Sequence, residues 1–252
     1  EVLKEGVHSG GASGHVPSSF RIARSLLSRL EDEKTGEILI DELNTEIPDY
    51  RIEETKNLVS ILNNEVVEEF PWKDNMKPST NDNVEGVLRR TWKPAVSIVG
   101  VDGMPSTANA GNVLRPYTTL QLSMRIPPTA NAKKAVHAMK KTLSENIPYD
   151  ATVELQFEKA GEGWNAPESK PWLLEAIDKA SKEYFGQMAC SMGEGGSIPF
   201  MGMLGKQFPE AQFVITGVLG PQSNAHGPNE FLHIPFAKRL TCCISSIIAD
   251  YK

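Results

Sequence analysis

Residues 118–157 read TTLQLSMRIPPTANAKKAVHAMKKTLSENIPYDATVELQF, and this stretch decides the fold class. Apolar and polar residues alternate from Thr118 to Ile126, as is typical of a half-buried strand. Two prolines then break the strand, and the pattern from Ala130 to Asn146 is that of a helix. Alternation returns from Ala151 to Phe157. The stretch therefore predicts a strand, a helix and another strand.

The residues before this stretch predict a matching strand, helix and strand. Val2 to Val7 alternates like a strand, residues 9–14 form a glycine-rich turn, and Ala95 to Val101 is a further strand. Pro17 opens a helix, whose apolar face is predicted to consist of Phe20, Ala23, Leu26, Leu27 and Leu30. The order of elements predicts an α+β fold for residues 1–160: a ferredoxin-like domain with an antiparallel sheet and helices on one face.

Residues 38–90 fit this order least well, and we treat them as an insertion within the first domain. Residues 53–70 have the pattern of one helix, which Pro71 ends. Residues 72–82 are polar and rich in turn formers.

Residues 161–252 are predicted to form part of an α/β domain. Trp172 to Phe185 and Phe236 to Tyr251 have helical patterns, and Gln212 to Thr216 has the pattern of a buried strand. We expect the other strands of this sheet to lie elsewhere. The chain starts without methionine in what looks like a strand, so we expect it to be a fragment.

Composition disfavours several classes of partner. The net charge is −6 with acids and bases mixed along the chain, so no basic surface for nucleic acid is expected. The longest apolar runs are too short to span a bilayer. Of the three cysteines, Cys242 and Cys243 are adjacent on a predicted helix and make a poor disulfide pair. This usage suggests a reducing, cytoplasmic location.

His226 is the first candidate for chemistry. It lies in the loop SNAHGPNE (residues 223–230), after a predicted buried strand, where open α/β sheets place their sites. A neutral imidazole there can bind a metal, although a solvated loop histidine has the same pattern. Because catalytic zinc needs about three protein ligands, the sequence supplies at most one ligand of such a site.

Two further features can bind substrate groups. The glycine turn from Glu194 to Ser197 lets backbone N–H groups approach a ligand, and the Glu194 carboxylate can hold an amine. Ser197 can also serve only as a helix N-cap. Arg125, on the polar face of a strand, can bind a carboxylate bidentately or be solvated.

The strings VHSG (residues 7–10), EGGSIP (residues 194–199) and NAHGPNE (residues 224–230) together resemble the carnosinase/aminoacylase group of di-zinc metallopeptidases, and its dipeptidase branch in particular. The resemblance implies a hydrolase that cleaves dipeptides or N-acyl amino acids, with water activated by two zinc ions (manganese or cobalt being possible). It also implies a homodimer, because in this group a lid domain splits the catalytic domain in sequence and forms the dimer. The chain then contains the lid and the last part of the catalytic domain.

The resemblance implies a role for each candidate residue. His8 matches a lid histidine that reaches the partner's active site and stabilises the oxyanion, and Asn112 matches a second polar lid residue acting there. Arg125 matches the arginine that binds the substrate carboxylate. Glu194 and Ser197 match residues that line the substrate pocket. His226 matches a zinc ligand.

The chain departs from the family pattern in two ways. Carnosinase-like members have an arginine where this chain has Gly193. The family's other metal ligands and its general base precede the lid, and they are not in this sequence. We therefore expect the isolated chain to be inactive. A stand-alone dimerisation or binding module and a catalytically dead paralogue stay open as alternatives.

Overall fold

The computed structural model describes residues 1–158, 160–194, 199–220, 223–225 and 227–251. In this part of the chain the strands are β1 (Val7–His8), β2 (Ala95–Asp102), β3 (Val113–Leu114) and β4 (Thr119–Arg125). The helices are α1 (Ser9–Ala12), α2 (Ser19–Leu27), α3 (Asp49–Leu62), α4 (Glu65–Glu68), α5 (Asn83–Thr91), α6 (Ala132–Ser144), α7 (Pro171–Phe185), α8 (Pro199–Gln207) and α9 (Ile234–Ala249).

The chain divides into two compact units. The first contains Glu1–Trp164 and a short segment that begins at Gly193, and the second contains Asn165–Met192 and the residues from Phe200 onward. Helices combined with small antiparallel sheets make the fold α+β, as the sequence predicted. No described helix is both long enough and apolar enough to cross a bilayer.

The described strands pair as two antiparallel ribbons. β2 pairs with β4 from Ala95↔Arg125 to Asp102↔Thr119, with an irregularity between Ile98 and Gly100. β1 pairs with β3. The hairpin-like pairing of β2 with β4 is the part of the predicted sheet that the structure contains.

The core of the first unit lies between α2, α6 and one face of the β2–β4 ribbon. Ile22 and Leu26 are four residues apart on α2, so they lie on the same face, and both are buried. α6 contributes Ala135, Ala138, Met139 and Leu143. Phe20 was predicted to face this core but is 40% exposed, because it lies about 200° around the helix from Ile22.

The insertion forms a small helical cluster with its own core. Leu58 of α3, Val66 of α4 and Val87 of α5 are buried together. The single helix predicted for residues 53–70 is wrong, because Asn63 takes a left-handed φ of 50° that ends α3. α5 was not predicted at all.

The second unit is built on two packed helices. Leu173, Ala176 and Ala180 of α7 are buried against Cys243 and Ile247 of α9. Small alanine side chains on α7 allow close approach of the two helices. The sequence predicted both helices to within two residues at each end.

Three predicted strands differ from the structure. Residues 151–157 are not in a strand, although Val153, Leu155 and Phe157 pack against the first core. Residues 212–216 are not in a strand either, and the predicted strand from residue 2 is reduced to β1. The physical reason is that alternation reports which side chains are buried, whereas a strand also requires a paired backbone. The N-terminal residues make a few backbone bonds that do not extend into a ladder: Val2 N (2.8 Å) and Leu3 N (3.3 Å) both donate to Pro116 O, and Glu1 exchanges a pair of bonds with Thr152.

Candidate active site

The structure brings His8 and Asn112 together. His8 ends β1 and pairs with Val113 of β3, and the N–H of the next residue, Ser9, donates to the carbonyl oxygen of Asn112 at 2.9 Å. This short antiparallel pairing therefore places residues from distant parts of the sequence side by side. Both His8 and Asn112 are exposed to solvent.

His8 also marks the start of α1. Its backbone is extended (φ −61°, ψ 119°), and its side chain makes no capping hydrogen bond to the helix that follows. The imidazole lies against the backbone of Gly10 instead. The ring is thus held at the surface without being used as a helix cap.

Asn112 is the central residue of a tight turn. The N–H of Val113 donates to the carbonyl oxygen of Gly111 at 2.8 Å, which closes a three-residue γ-turn around Asn112. A turn this short projects its central side chain away from the chain on either side. Asn112 is thus an exposed turn residue whose backbone is bonded to the residue that follows His8.

Arg125 lies apart from this pair. It is the last residue of β4, it pairs with Ala95, and it is exposed. Arg125 is six residues along β4 from Thr119, so the two ends of this strand are about 20 Å apart. Thr119 is the end of β4 that is nearer in sequence to Asn112. A single chain thus has His8 and Asn112 at the β1–β3 ribbon and the guanidinium of Arg125 at the β2–β4 ribbon.

Glu194 follows a close backbone contact. A Cβ atom at the preceding residue, Gly193, would lie 3.2 Å from Cβ of Thr91 at the end of α5. The chain therefore passes close to α5 at this point, and Glu194 itself is exposed. Ser197, the other residue of the predicted glycine-turn pocket, lies outside the described residues.

The predicted zinc ligand His226 also lies outside the described residues. Its neighbours form a tight loop in which the Asn224 side-chain amide donates to Pro228 O at 2.7 Å and Gly227 N donates to Asn224 O at 2.9 Å. A Cβ atom at Gly227 would lie 2.5 Å from the Asn224 amide. The Asn-x-x-Gly-Pro spacing of the sequence motif thus has a steric reason that does not depend on a metal.

Metal-binding side chains do not gather within the described part of the chain. No three histidine, cysteine, aspartate or glutamate residues there are grouped so that they could hold a metal ion. Burial raises the pKa of the Cys190 thiol and, together with nearby Cys242, that of the Cys243 thiol. Because the thiolate is the metal ligand and the nucleophile, neither group is prepared for those roles. The described residues do not fit a complete zinc site.

Gly10 is a residue whose role the sequence analysis missed. It was part of the VHSG string, but nothing in the string shows that glycine is needed there for the imidazole of His8. A glycine two residues after a candidate catalytic histidine is the available signal.

Comparison with known proteins places these features in a family. The peptidase dimerisation domain of the M20 family matches residues 1–151. The chain is 27% identical over 153 residues to the cysteinylglycine-S-conjugate dipeptidase of Corynebacterium striatum. This aligned region covers 58% of this chain and 33% of that protein. The chain is also 30% identical over 201 residues to the Cys-Gly metallodipeptidase DUG1 of Saccharomyces cerevisiae. That aligned region covers 77% of this chain and 40% of the yeast protein.

Solved structures share the fold. The structure of the dipeptidase Dug1p from Saccharomyces cerevisiae superposes with a TM-score of 0.67 at 22% identity, over 100% of this chain and 52% of that one. The M20 family metallo-carboxypeptidase of Sulfolobus solfataricus gives 0.70 at 18% identity, over 98% and 55%. Human carnosine dipeptidase 1 gives 0.62 at 18% identity, over 98% and 52%.

The chain spans 33–40% of the length of the curated relatives it matches. The domain match nevertheless covers more than half of the chain itself. The resemblance found in the sequence is confirmed: the chain belongs to the M20 metallopeptidase family and carries its peptidase dimerisation domain.

Proposed function

We propose that this chain is part of a metallodipeptidase that hydrolyses the peptide bond of dipeptides. The observation that carries the proposal is the match of residues 1–151 to the peptidase dimerisation domain. Both curated relatives are named for dipeptides that contain cysteinylglycine, so this dipeptide is the first substrate to test. N-acyl amino acids are the second class.

In this proposal the two parts of the chain have different roles. Residues 1–160, with the insertion at 38–90, are the lid domain, which has a ferredoxin-like sheet. The lid domains of two subunits form the homodimer. Residues 161–252 are the C-terminal part of the catalytic domain. The three free cysteines support a cytoplasmic location.

The metal belongs to the whole enzyme. Two zinc ions, or manganese or cobalt in their place, would supply an activated water and a polarised carbonyl. His226 is the residue of this chain proposed as a ligand. The described residues contain no group of three potential ligands, so the chain's own contribution to the reaction would come from its other side chains.

His8 and Asn112 are proposed to act in the active site of the partner subunit. Both are exposed and adjacent, as residues that meet a substrate in another subunit must be. The imidazole of His8 would donate a hydrogen bond to the oxyanion that forms when water attacks the scissile carbonyl. Its contribution would be larger in the transition state than in the ground state.

Arg125 is proposed to anchor the substrate carboxylate. It is exposed at the end of β4, and a guanidinium binds a carboxylate through two parallel hydrogen bonds. Because His8 and Arg125 lie on different antiparallel ribbons, these two side chains of one chain can act in different active sites of a dimer. Glu194 and Ser197 are proposed to line the same pocket as Arg125.

Hydrolysis by the full-length protein tests the proposal. The protein is incubated with cysteinylglycine and, separately, with an N-acetyl amino acid, in the presence of zinc or manganese. We expect release of glycine from the dipeptide, and loss of this activity after EDTA treatment. No hydrolysis of either substrate with any of these metals would contradict the proposal.

A second candidate function is that of a dimerisation module without hydrolysis of its own. The observation that favours it is that the described residues gather no three metal-ligating side chains. Sedimentation of the isolated chain should then show a species of about twice 27.7 kDa. A monomer at high protein concentration would contradict both this candidate and the proposed action of His8 across a dimer.

A further inference from the structure

The imidazole of His8 rests directly on Gly10. After the extended backbone of His8, the chain turns into the short helix α1. This turn brings the backbone of Gly10 beneath the ring. A Cβ atom at Gly10 would lie 2.9 Å from Cε1 and 3.2 Å from Nδ1 of His8, closer than the roughly 3.5–4.0 Å at which non-bonded carbon atoms attract.

Gly11, the next residue, provides a contrast. A Cβ atom at Gly11 would have no heavy atom within 4 Å. Neither Gly10 nor Gly11 has a left-handed φ, so the backbone of α1 does not require glycine at either position. The missing side chain matters only at Gly10, and there it matters only to the ring of His8.

We infer that Gly10 is a positioning residue, whose lack of a side chain sets the direction of the His8 imidazole. This inference rests on the proposed function, in which that direction points the ring toward the partner's active site. Gly10 itself touches no substrate. It acts through the ring that lies on it.

A methyl group added at Gly10 should change the orientation of the His8 ring without lowering the stability of the fold. In the variant Gly10→Ala the ring must rotate, because Cε1 and Nδ1 are at the far end of a side chain with free torsions and nothing else lies within 4 Å of the new methyl group. Replacing glycine in a compatible backbone also reduces the entropy of the unfolded chain, which stabilises the fold. Gly10→Ala should therefore keep or raise the melting temperature while moving the ring. Gly11→Ala should have the same effect on stability and leave the ring in place.

Nuclear magnetic resonance of the labelled chain tests the inference. The chain has five histidines, and the His8 ring signals are assigned by their loss in His8→Ala. In the unaltered chain we expect a nuclear Overhauser effect between the Cε1 proton of His8 and the α protons of Gly10. Gly10→Ala should shift the His8 ring signals, and Gly11→Ala should not.

Two results would overturn the inference. One is the absence of the ring-to-Gly10 contact in the unaltered chain. The other is a set of His8 ring signals in Gly10→Ala that matches Gly11→Ala.

Failure of the inference and failure of the proposed function give different results. In the full-length enzyme, a rotated His8 ring should lower kcat by about 10-fold to 100-fold and change KM less, as small misplacements of a catalytic group do. If the ring moves and kcat does not change, the positioning by Gly10 stands and the proposed role of His8 fails. If the ring does not move, the positioning fails whatever the activity.

Discussion

Replacing Arg29 should destabilise the first unit by a predictable amount. Its guanidinium donates to three backbone carbonyl oxygens at the end of α6: those of Thr142 (3.3 Å), Glu145 (2.6 Å) and Asn146 (2.7 Å). The last carbonyls of a helix have no partner within the helix. Arg29 thus fastens the segment after α2 to the end of α6.

The size of the effect follows from the exposure of these bonds. Hydrogen bonds to charged groups are worth more than neutral ones, but two of the three bonds are exposed, where water replaces a lost donor. With a small gain from a cation near a helix C-terminus, Arg29→Ala should lower the free energy of unfolding by about 2 kcal/mol. Arg29→Lys should lose about half of that, because an ammonium keeps the charge but cannot span three carbonyls.

Urea unfolding provides the assay, followed by tryptophan fluorescence because Trp92 is buried in this unit. The matched control is Arg21→Ala, which removes an exposed arginine from the first turn of α2 and should change stability by less than about 0.5 kcal/mol. If Arg29→Ala and Arg21→Ala unfold at the same urea concentration, the fastening role of Arg29 is wrong.

Two further predictions concern stability. Burial raises the pKa of Glu85, but hydrogen bonds and charges from Lys93 and Arg89 outweigh burial and leave that pKa below its ordinary value of 4.5. The native chain should therefore have a larger free energy of unfolding than Glu85→Gln above pH 4.5, and this difference should fade as the pH falls below 4.5. Urea unfolding at a series of pH values measures the difference, and a difference that does not depend on pH would refute the prediction. Leu30 is fully buried, so Leu30→Ala should reduce the free energy of unfolding by about 3–5 kcal/mol, whereas its control Leu39→Ala, at a position 54% exposed, should have little effect in the same assay.

Side-chain periodicity predicted helices and strands whose own residues show which face is buried. The helix α6 and the strand β4 follow from apolar spacing, because Met139 and Leu143 of the helix and Leu122 and Met124 of the strand pack into the first core. Residues 151–157 show the limit of this reasoning. Their alternate side chains are indeed packed on the core, yet the choice of backbone partner depends on residues far away in sequence.

Local end signals would have improved the prediction of the insertion. Asp82 accepts from the N–H groups of Val84 and Glu85 and so caps α5, and an acidic residue followed three positions later by glutamate is a recognisable start of a helix. The asparagine pair at residues 63–64 is a comparable stop signal, since asparagine tolerates a left-handed φ. The Asp82 signal ended a segment whose polarity suggested only turns, whereas the asparagine pair lay inside residues 53–70, whose apolar pattern predicted one continuous helix.

The candidate site was less accessible from sequence than the fold. His8, which lies in one of the motif strings, and Asn112, which lies outside all of them, were identified only through family resemblance. Their adjacency results from a pairing of two residues in each strand, which no periodic pattern can indicate over about a hundred residues of separation. The contact between the His8 ring and Gly10 likewise depends on the three-dimensional structure, and the sequence pattern does not indicate it.

The central claim is that the chain serves a dipeptidase whose dimer shares catalytic groups, and subunit complementation tests it most directly. Full-length His8→Ala and His226→Ala proteins are prepared separately and then mixed under conditions that exchange subunits. Each variant alone should be nearly inactive toward cysteinylglycine, the first with a much lower kcat and a KM changed less.

In a mixed dimer, the subunit with intact His226 receives the intact His8 of its partner. One of its two active sites is then complete, so random mixing should restore about a quarter of the native activity. If sedimentation and mass spectrometry show that mixed dimers have formed and the mixture stays as inactive as the separate variants, His8 does not act across the dimer and the account is contradicted.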